Sequence, residues 1–155
     1  MKLKATEFIA LLLAALVTGV FWGTWFTLTR SLDNFAPAAF IHIGKTIIAN
    51  VAMPMRIIMP ATLLFMLLVM WQSRRLYKSS FYLYMMSFLL MVVTLIITVA
   101  IEVPIDNQIK TWTTDTLPAG WESLRTTWNR FHTIRTFTSI ASFCFLGLGI
   151  IKHIK

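Results

Sequence analysis

Residues 81–101 read FYLYMMSFLLMVVTLIITVAI, an unbroken run without a single Asp, Glu, Lys or Arg. A buried strand needs only about 4–8 residues, and the apolar centre of a secretory signal only about 7–15. A helix crossing a hydrocarbon layer about 30 Å thick needs about 20. The run therefore reads as a membrane-spanning helix, closed at its far end by Glu102. Working outward, residues 8–29, 54–71 and 132–151 have the same character, with 81–102 as the third of four spans. The whole sequence is 57% hydrophobic and 13% charged, more apolar surface than a soluble domain of this length ordinarily hides. The first window follows Lys2 and Lys4 as a secretory signal would, yet it outruns a signal core and shows no small-residue cleavage site. It is expected to be retained. The expected fold is all-α, a four-transmembrane-helix bundle with short outer-interface helices, forming one integral membrane domain over residues 1–155.

The formal net charge of +8 does not point to nucleic acid, because most bases fall at helix ends, where lipid headgroups meet them. Lys2, Lys4, Arg74, Arg75, Lys78, Lys152 and Lys155 gather on one side with the lone acid Glu7. The other side holds as many bases, accompanied by Asp33, Glu102, Asp106, Asp115 and Glu122. The first group sits in short tails and one tight turn, the positions that the positive-inside rule weights. Both termini are accordingly expected in the cytoplasm, and the chain in the plasma membrane.

Trp121, Arg125, Trp128, His132 and Arg135 are spaced 4, 3, 4 and 3, which stacks them along one helix face. Pro118 after Asp115 or Thr116 is the expected start of that helix. Arg135 falls on the order of 25 Å from the cytoplasmic end of the fourth span, inside the hydrocarbon edge. An unpaired charge there costs a few kcal/mol or more, so a partner is required. Glu102 reaches a similar level and is the expected counter-ion of Arg135 or Arg125. Pro104 is expected to stop or kink the third helix, adding Asp106, Asn107 and Gln108 to the rim. Pro54 and Pro60 leave the carbonyls of Asn50 and Arg56 without donors, which a membrane tolerates only against protein or a wet cavity. Ahead of them, residues 36–50 read as an outer-interface helix opened by Pro37 and carrying His42 and Lys45.

Ordinary explanations cover part of this pattern. Snorkelling and an interfacial aromatic belt account for Arg130, Trp112 and Trp121, but poorly for Arg135 and Glu102. His42 and His132 with Glu102 are conceivable metal ligands, but no HxxH, HxxxH or Cys pairing is present. Neither a metal nor a cofactor is expected. Gly19 and Gly23 have small-xxx-small spacing and are expected to mark packing inside the bundle. The single Cys144 lies mid-span.

The blocks GVFWGTWFTLTRSL (19–32), NVAMPMRIIMP (50–60), IEVPIDNQIKTW (101–112) and LPAGWESLRTTWNRFHTIRT (117–136) together resemble the anthrone oxygenase-like family of small integral membrane proteins. The resemblance covers nearly the whole chain. It implies a membrane protein, some of whose fungal relatives oxidise anthrones to anthraquinones. It also implies a shared polar signature at Glu102, Asn107, Trp121, Arg125, Trp128, His132 and Arg135, without fixing their roles.

Two functional expectations follow. In the first, a lipophilic phenol or quinone-type molecule enters from the bilayer and lies against Trp22, Trp25 or Trp128. His132 or Glu102 then acts as base, while Arg135 or Arg125 stabilises the anion that meets oxygen. Trp121, Asn107, Arg56 and His42 complete the expected ligand contacts. In the second, the same cluster binds an anionic lipid, a small ligand or a partner protein without catalysis. Four helices without internal repeats argue against a transporter.

Overall fold

The computed structural model describes residues 2–74 and 78–154, with side chains through Lys152. Arg75 and Lys155, two of the bases that set the expected orientation, lie outside the described residues. Five α-helices account for nearly all of it. α1 is Leu3–Thr27, followed by a 3-10 turn at Thr29–Asn34. α2 is Pro37–Ser73 and α3 is Lys78–Ile97. A π-helical segment at Thr98–Glu102 joins α3 to α4, Val103–Thr111, and α5 runs from Trp121 to Ile154.

Among the described residues, four stretches are long and apolar enough to cross a membrane: Leu3–Asn34, Pro37–Ser73, Lys78–Thr111 and Trp121–Lys152. Each contains one of the expected spans. They pack as a ring in which α1 and α3 each touch both α2 and α5. Phe8, Leu12, Leu64, Leu67, Leu89, Ile96 and Leu148 point outward and are exposed. A belt of that kind suits lipid as its solvent rather than water. The protein is an integral membrane protein in its architecture, with lipid as its surroundings.

Small and hydroxyl-bearing residues bring α3 and α5 together. The buried face of α3 includes Ser80, Tyr84, Ser87, Met91 and Thr94, at the alternating 3 and 4 spacing of a helix seam. Ser87 donates to the Ser142 carbonyl and Ser142 donates back to the Ser87 carbonyl, each at 2.7 Å. The Thr94 and Thr138 hydroxyls meet at 2.9 Å. With little hydrophobic force between helices in lipid, such contacts and close packing hold the bundle, at about 0.6 kcal/mol per hydrogen bond. At the opposite end from Glu102, Glu7 is buried and accepts a hydrogen bond from the buried Tyr84 hydroxyl. The acid grouped with the cytoplasmic bases by sequence is thus a bundle residue.

The core has two storeys. One, around Ala10, Val17, Met59, Met66, Tyr84 and Met91, fills the bundle among α1, α2, α3 and α5. The other, around Leu32, Phe40, Ile48, Ile109, Trp112 and Trp121, is built from the 3-10 turn, the first part of α2, α4 and the start of α5. At about 1.5 Å per residue, α2 is roughly 55 Å long. It outreaches α1 and so belongs to both storeys.

Four local expectations change. The segment opened by Pro37 is not a separate interface helix but the first part of α2, whose apolar face continues through Phe40, Ile41 and Ile48. Pro104 does not end the third helix. Its missing N–H falls beside a widened turn in which the Val103 N–H reaches back five residues to the Thr98 carbonyl, and α4 continues onward. α5 starts at Trp121 rather than Pro118, after Gly120 takes φ 83°, a conformation that glycine adopts without Cβ strain. A Cβ at Gly19 or Gly23 would meet nothing within 4 Å, so these glycines do not mediate packing inside the bundle.

Candidate functional site

The two storeys meet around a cavity of about 290 Å³. Its inner walls are apolar: Val20 and Phe21 from α1, Ile48, Val51, Met55 and Met59 from α2, and Leu95 from α3. Its polar wall comes from Thr98, Asp106, Trp128, His132 and Arg135. Among the lining residues, Arg56 and Pro60 of α2 and Val99, Val103, Asn107 and Lys110 opposite are exposed. The mouth therefore opens sideways between α2 and the α3–α4 segment.

Arg135 organises the polar wall. Its Nη2 lies 2.9 Å from Glu102 Oε2, and Glu102 has no exposed surface. The same guanidinium donates to His132 Nδ1 from Nη2 at 2.8 Å and from Nε at 3.3 Å, and to the Thr98 hydroxyl from Nη1 at 3.4 Å. Its carbon stands 4.6 Å from the centroid of the Phe21 ring, a cation–π contact. A guanidinium only donates, so His132 Nδ1 must accept. The imidazole proton then sits on Nε2, which is placed to donate to the Phe21 carbonyl at 3.3 Å.

Trp128 stacks on the His132 ring, with centroids 4.9 Å apart and planes 11° from parallel. Its indole N–H donates to Asp106 Oδ1 at 3.0 Å. One continuous chain of contacts thus runs from Glu102 through Arg135, His132 and Trp128 to Asp106. Among the described residues, Arg135 retains one Nη1 hydrogen beyond these contacts, and Asp106 retains its second carboxylate oxygen. Glu102 Oε1 is buried with no hydrogen-bond partner among the described residues.

The π segment sets this wall in phase. Inward positions before it are Thr94 and Ile97, and after it Glu102, Ile105 and Ile109. The step from Ile97 to Glu102 is one residue longer than an α-helix permits on one face. The wide turn absorbs that residue, as such bulges often do at functional sites.

The sequence-derived residues divide between two places. His132, Arg135, Trp128, Asn107 and Arg56 line the cavity, and Glu102 stands behind Arg135. Trp121 and Arg125 lie in the upper storey instead. There Arg125 stacks 4.8 Å over the Trp121 ring, meets Asp33 at 3.5 Å and donates to the Leu32 carbonyl at 3.4 Å. His42 is exposed on α2 and does not line the cavity. Trp22 and Trp25 stack on one another at 5.1 Å away from it. Sequence reasoning placed Asp106 only on the rim, and the signal that would have raised it is its i, i+4 relation to Glu102. Among the described residues, no three His, Cys, Asp or Glu side chains converge as a metal site would need.

A family model described as anthrone oxygenase matches residues 45–145, well over half of the chain. The chain belongs to the anthrone oxygenase family. No curated protein and no solved structure matches it. The family segment contains the cavity walls supplied by α2, α3, α4 and α5, while the α1 wall at Val20, Phe21 and Thr24 lies before it.

Proposed function

We propose that this member of the anthrone oxygenase family is an enzyme that takes a flat, lipophilic anthrone-type compound, the keto form of a fused-ring phenol with a ring CH2, from the bilayer and oxidises it with molecular oxygen to a quinone. The observation that carries the reading is that Asp106 and Arg135, an acceptor and a donor, share the polar wall of a cavity whose inner walls are apolar. At about 290 Å³, the cavity lies near the lower end of the range for small-molecule sites, roughly 300–1,000 Å³. That volume suits a fused-ring aromatic better than a two-chain lipid.

In this reading Asp106, rather than His132 or Glu102, takes the proton. Both His132 nitrogens are engaged and Glu102 does not reach the cavity, whereas Asp106 has a carboxylate oxygen to offer. Loss of a proton from the ring CH2 sends its electron pair onto the substrate oxygen, where the free Arg135 N–H stabilises it. Dioxygen then adds at that carbon. One oxygen atom stays as the new carbonyl, and the other leaves as water with the two hydrogens that the carbon held. Glu102 and His132 fix the guanidinium, Trp128 fixes Asp106, and the apolar walls hold the rings. We further propose that the chain lies in the plasma membrane with both termini cytoplasmic, which puts the cavity in the outer half.

The test is oxygen uptake and quinone absorbance when anthrone is added to the protein purified in mild detergent, against a detergent blank. Asp106→Asn and Arg135→Gln are each expected to lower the rate by about 100-fold or more, the scale of a lost proton acceptor or anion donor. No acceleration over the blank, or variants as fast as the parent, would remove the oxygenase reading. Quinone binding without oxygen uptake would favour the non-catalytic alternative.

A further inference from the structure

Arg56 occupies a costly position without a protein partner. It lies 17 residues before Ser73, the last residue of α2, or about 25 Å along the helix, within the length of a hydrocarbon layer about 30 Å thick. A cation at such depth is ordinarily paired or wetted. Arg56 makes no hydrogen bond or ion pair with any described residue, and it lines the cavity mouth.

Lys110 lines the same mouth from α4. Among the described residues its Nζ hydrogen-bonds a neutral acceptor, Asn107 Oδ1, at 3.0 Å. Among the described residues no contact ion pair joins Asp106 to Arg56 or Lys110, and one of its oxygens is held by Trp128, although its carboxylate attracts Lys110 one helical turn away. Deeper in, Arg135 is balanced by Glu102. The mouth thus carries two cations on facing elements against the single carboxylate of Asp106, so its positive charge is only partly offset.

We infer that Arg56 and Lys110 form a seat for an anionic oxygen group, carboxylate or phosphate, carried by the molecule whose apolar body fills the cavity. The seat rests on the ligand reading above and narrows it to amphiphiles that are ionised at one end. It orients them as well: the charged end stays at the lateral opening, and the rings reach Asp106 and Arg135. Guanidinium supplies paired donors to such a group and ammonium a point charge.

The experiment compares anthraquinone-2-carboxylate with neutral 2-methylanthraquinone, titrated by quenching of tryptophan emission in phosphatidylcholine nanodiscs. The parent is expected to prefer the carboxylate by at least about tenfold, the scale of one charge-assisted hydrogen bond. That ratio should fall to about one in Arg56→Gln/Lys110→Gln and persist in Arg56→Lys. Both sites are exposed, and a melting curve for each variant confirms a folded bundle. Repeating the titration with phosphatidylglycerol in the discs separates the sources. Weakened carboxylate binding in the parent but not in the double variant assigns the seat to lipid phosphate, and no competition assigns it to the ligand's own substituent. A ratio near one in the parent, or one unchanged in the double variant, overturns the seat while leaving the cavity reading intact. Failure of both quinones to bind overturns both.

Discussion

Glu102 and Arg135 show how a single residue pair constrains the site. Each is buried, and each is tolerable in lipid surroundings because the other is 2.9 Å away. Removing one charge leaves its partner isolated, which at buried pairs costs about 3–5 kcal/mol. Glu102→Gln and Arg135→Gln are therefore expected to lower the melting temperature in detergent markedly. The double variant should recover much of the loss, since neither charge is then stranded. Additive losses would show that the two are not coupled. The pair was legible in the sequence because both charges fall at the same depth on different spans. Asp106 was not legible as the cavity's carboxylate, because its environment depends on Trp128 arriving from another helix. Gly149 was equally silent. A methyl group there would overlap the Tyr84 ring, so Gly149→Ala should cost about 1–3 kcal/mol by overpacking, read from the same melting curves.

At the scale of the element, hydropathy located all four spans because length and the absence of charge are one-dimensional properties. Helix phase is another matter. The apolar pattern of residues 81–102 is nearly uniform around the helix, so nothing in it marks where an extra residue is accommodated. Pro104 signalled a disturbance, and the structure resolves it as a wide turn that keeps Glu102, Ile105 and Ile109 inward. Two deletions distinguish a slack turn from a rigid phase. Removing Ala100, exposed within the turn, converts the segment to ordinary α register and leaves Glu102 facing Arg135. Its product should accumulate and melt near the parent. Removing Leu89, exposed on α3, has no turn to absorb it and rotates one part of the helix against the other by about 100°. That variant should fail to accumulate as a folded bundle. Equal behaviour of the two would mean that the wide turn does not set the phase.

For the whole molecule, the two-storey arrangement gives the cavity its chemistry. The lower storey supplies lipid-facing helices and a lateral mouth, and the upper storey supplies α4 and the start of α5, which carry Asp106 and Trp128. Sequence reading anticipated the lower storey from its spans. It missed the upper one as a packed unit because the 3-10 turn, the start of α2 and α4 are short and mixed in polarity, and only their meeting around Ile109 and Trp121 makes a core. If the basic tails and the turn near Lys78 face the cytoplasm, the upper storey projects outward and the substrate mouth opens to the outer half of the bilayer. Impermeant thiol labelling of intact cells tests this on a Cys144→Ser background, which removes the native thiol. Ser79 and Thr114 are both exposed at opposite ends of the bundle. Thr114→Cys is expected to react in intact cells, and Ser79→Cys only after permeabilisation. The reverse pattern would turn the molecule over, moving the mouth and its cationic rim to the cytoplasmic half and changing which pool of amphiphiles can reach Asp106.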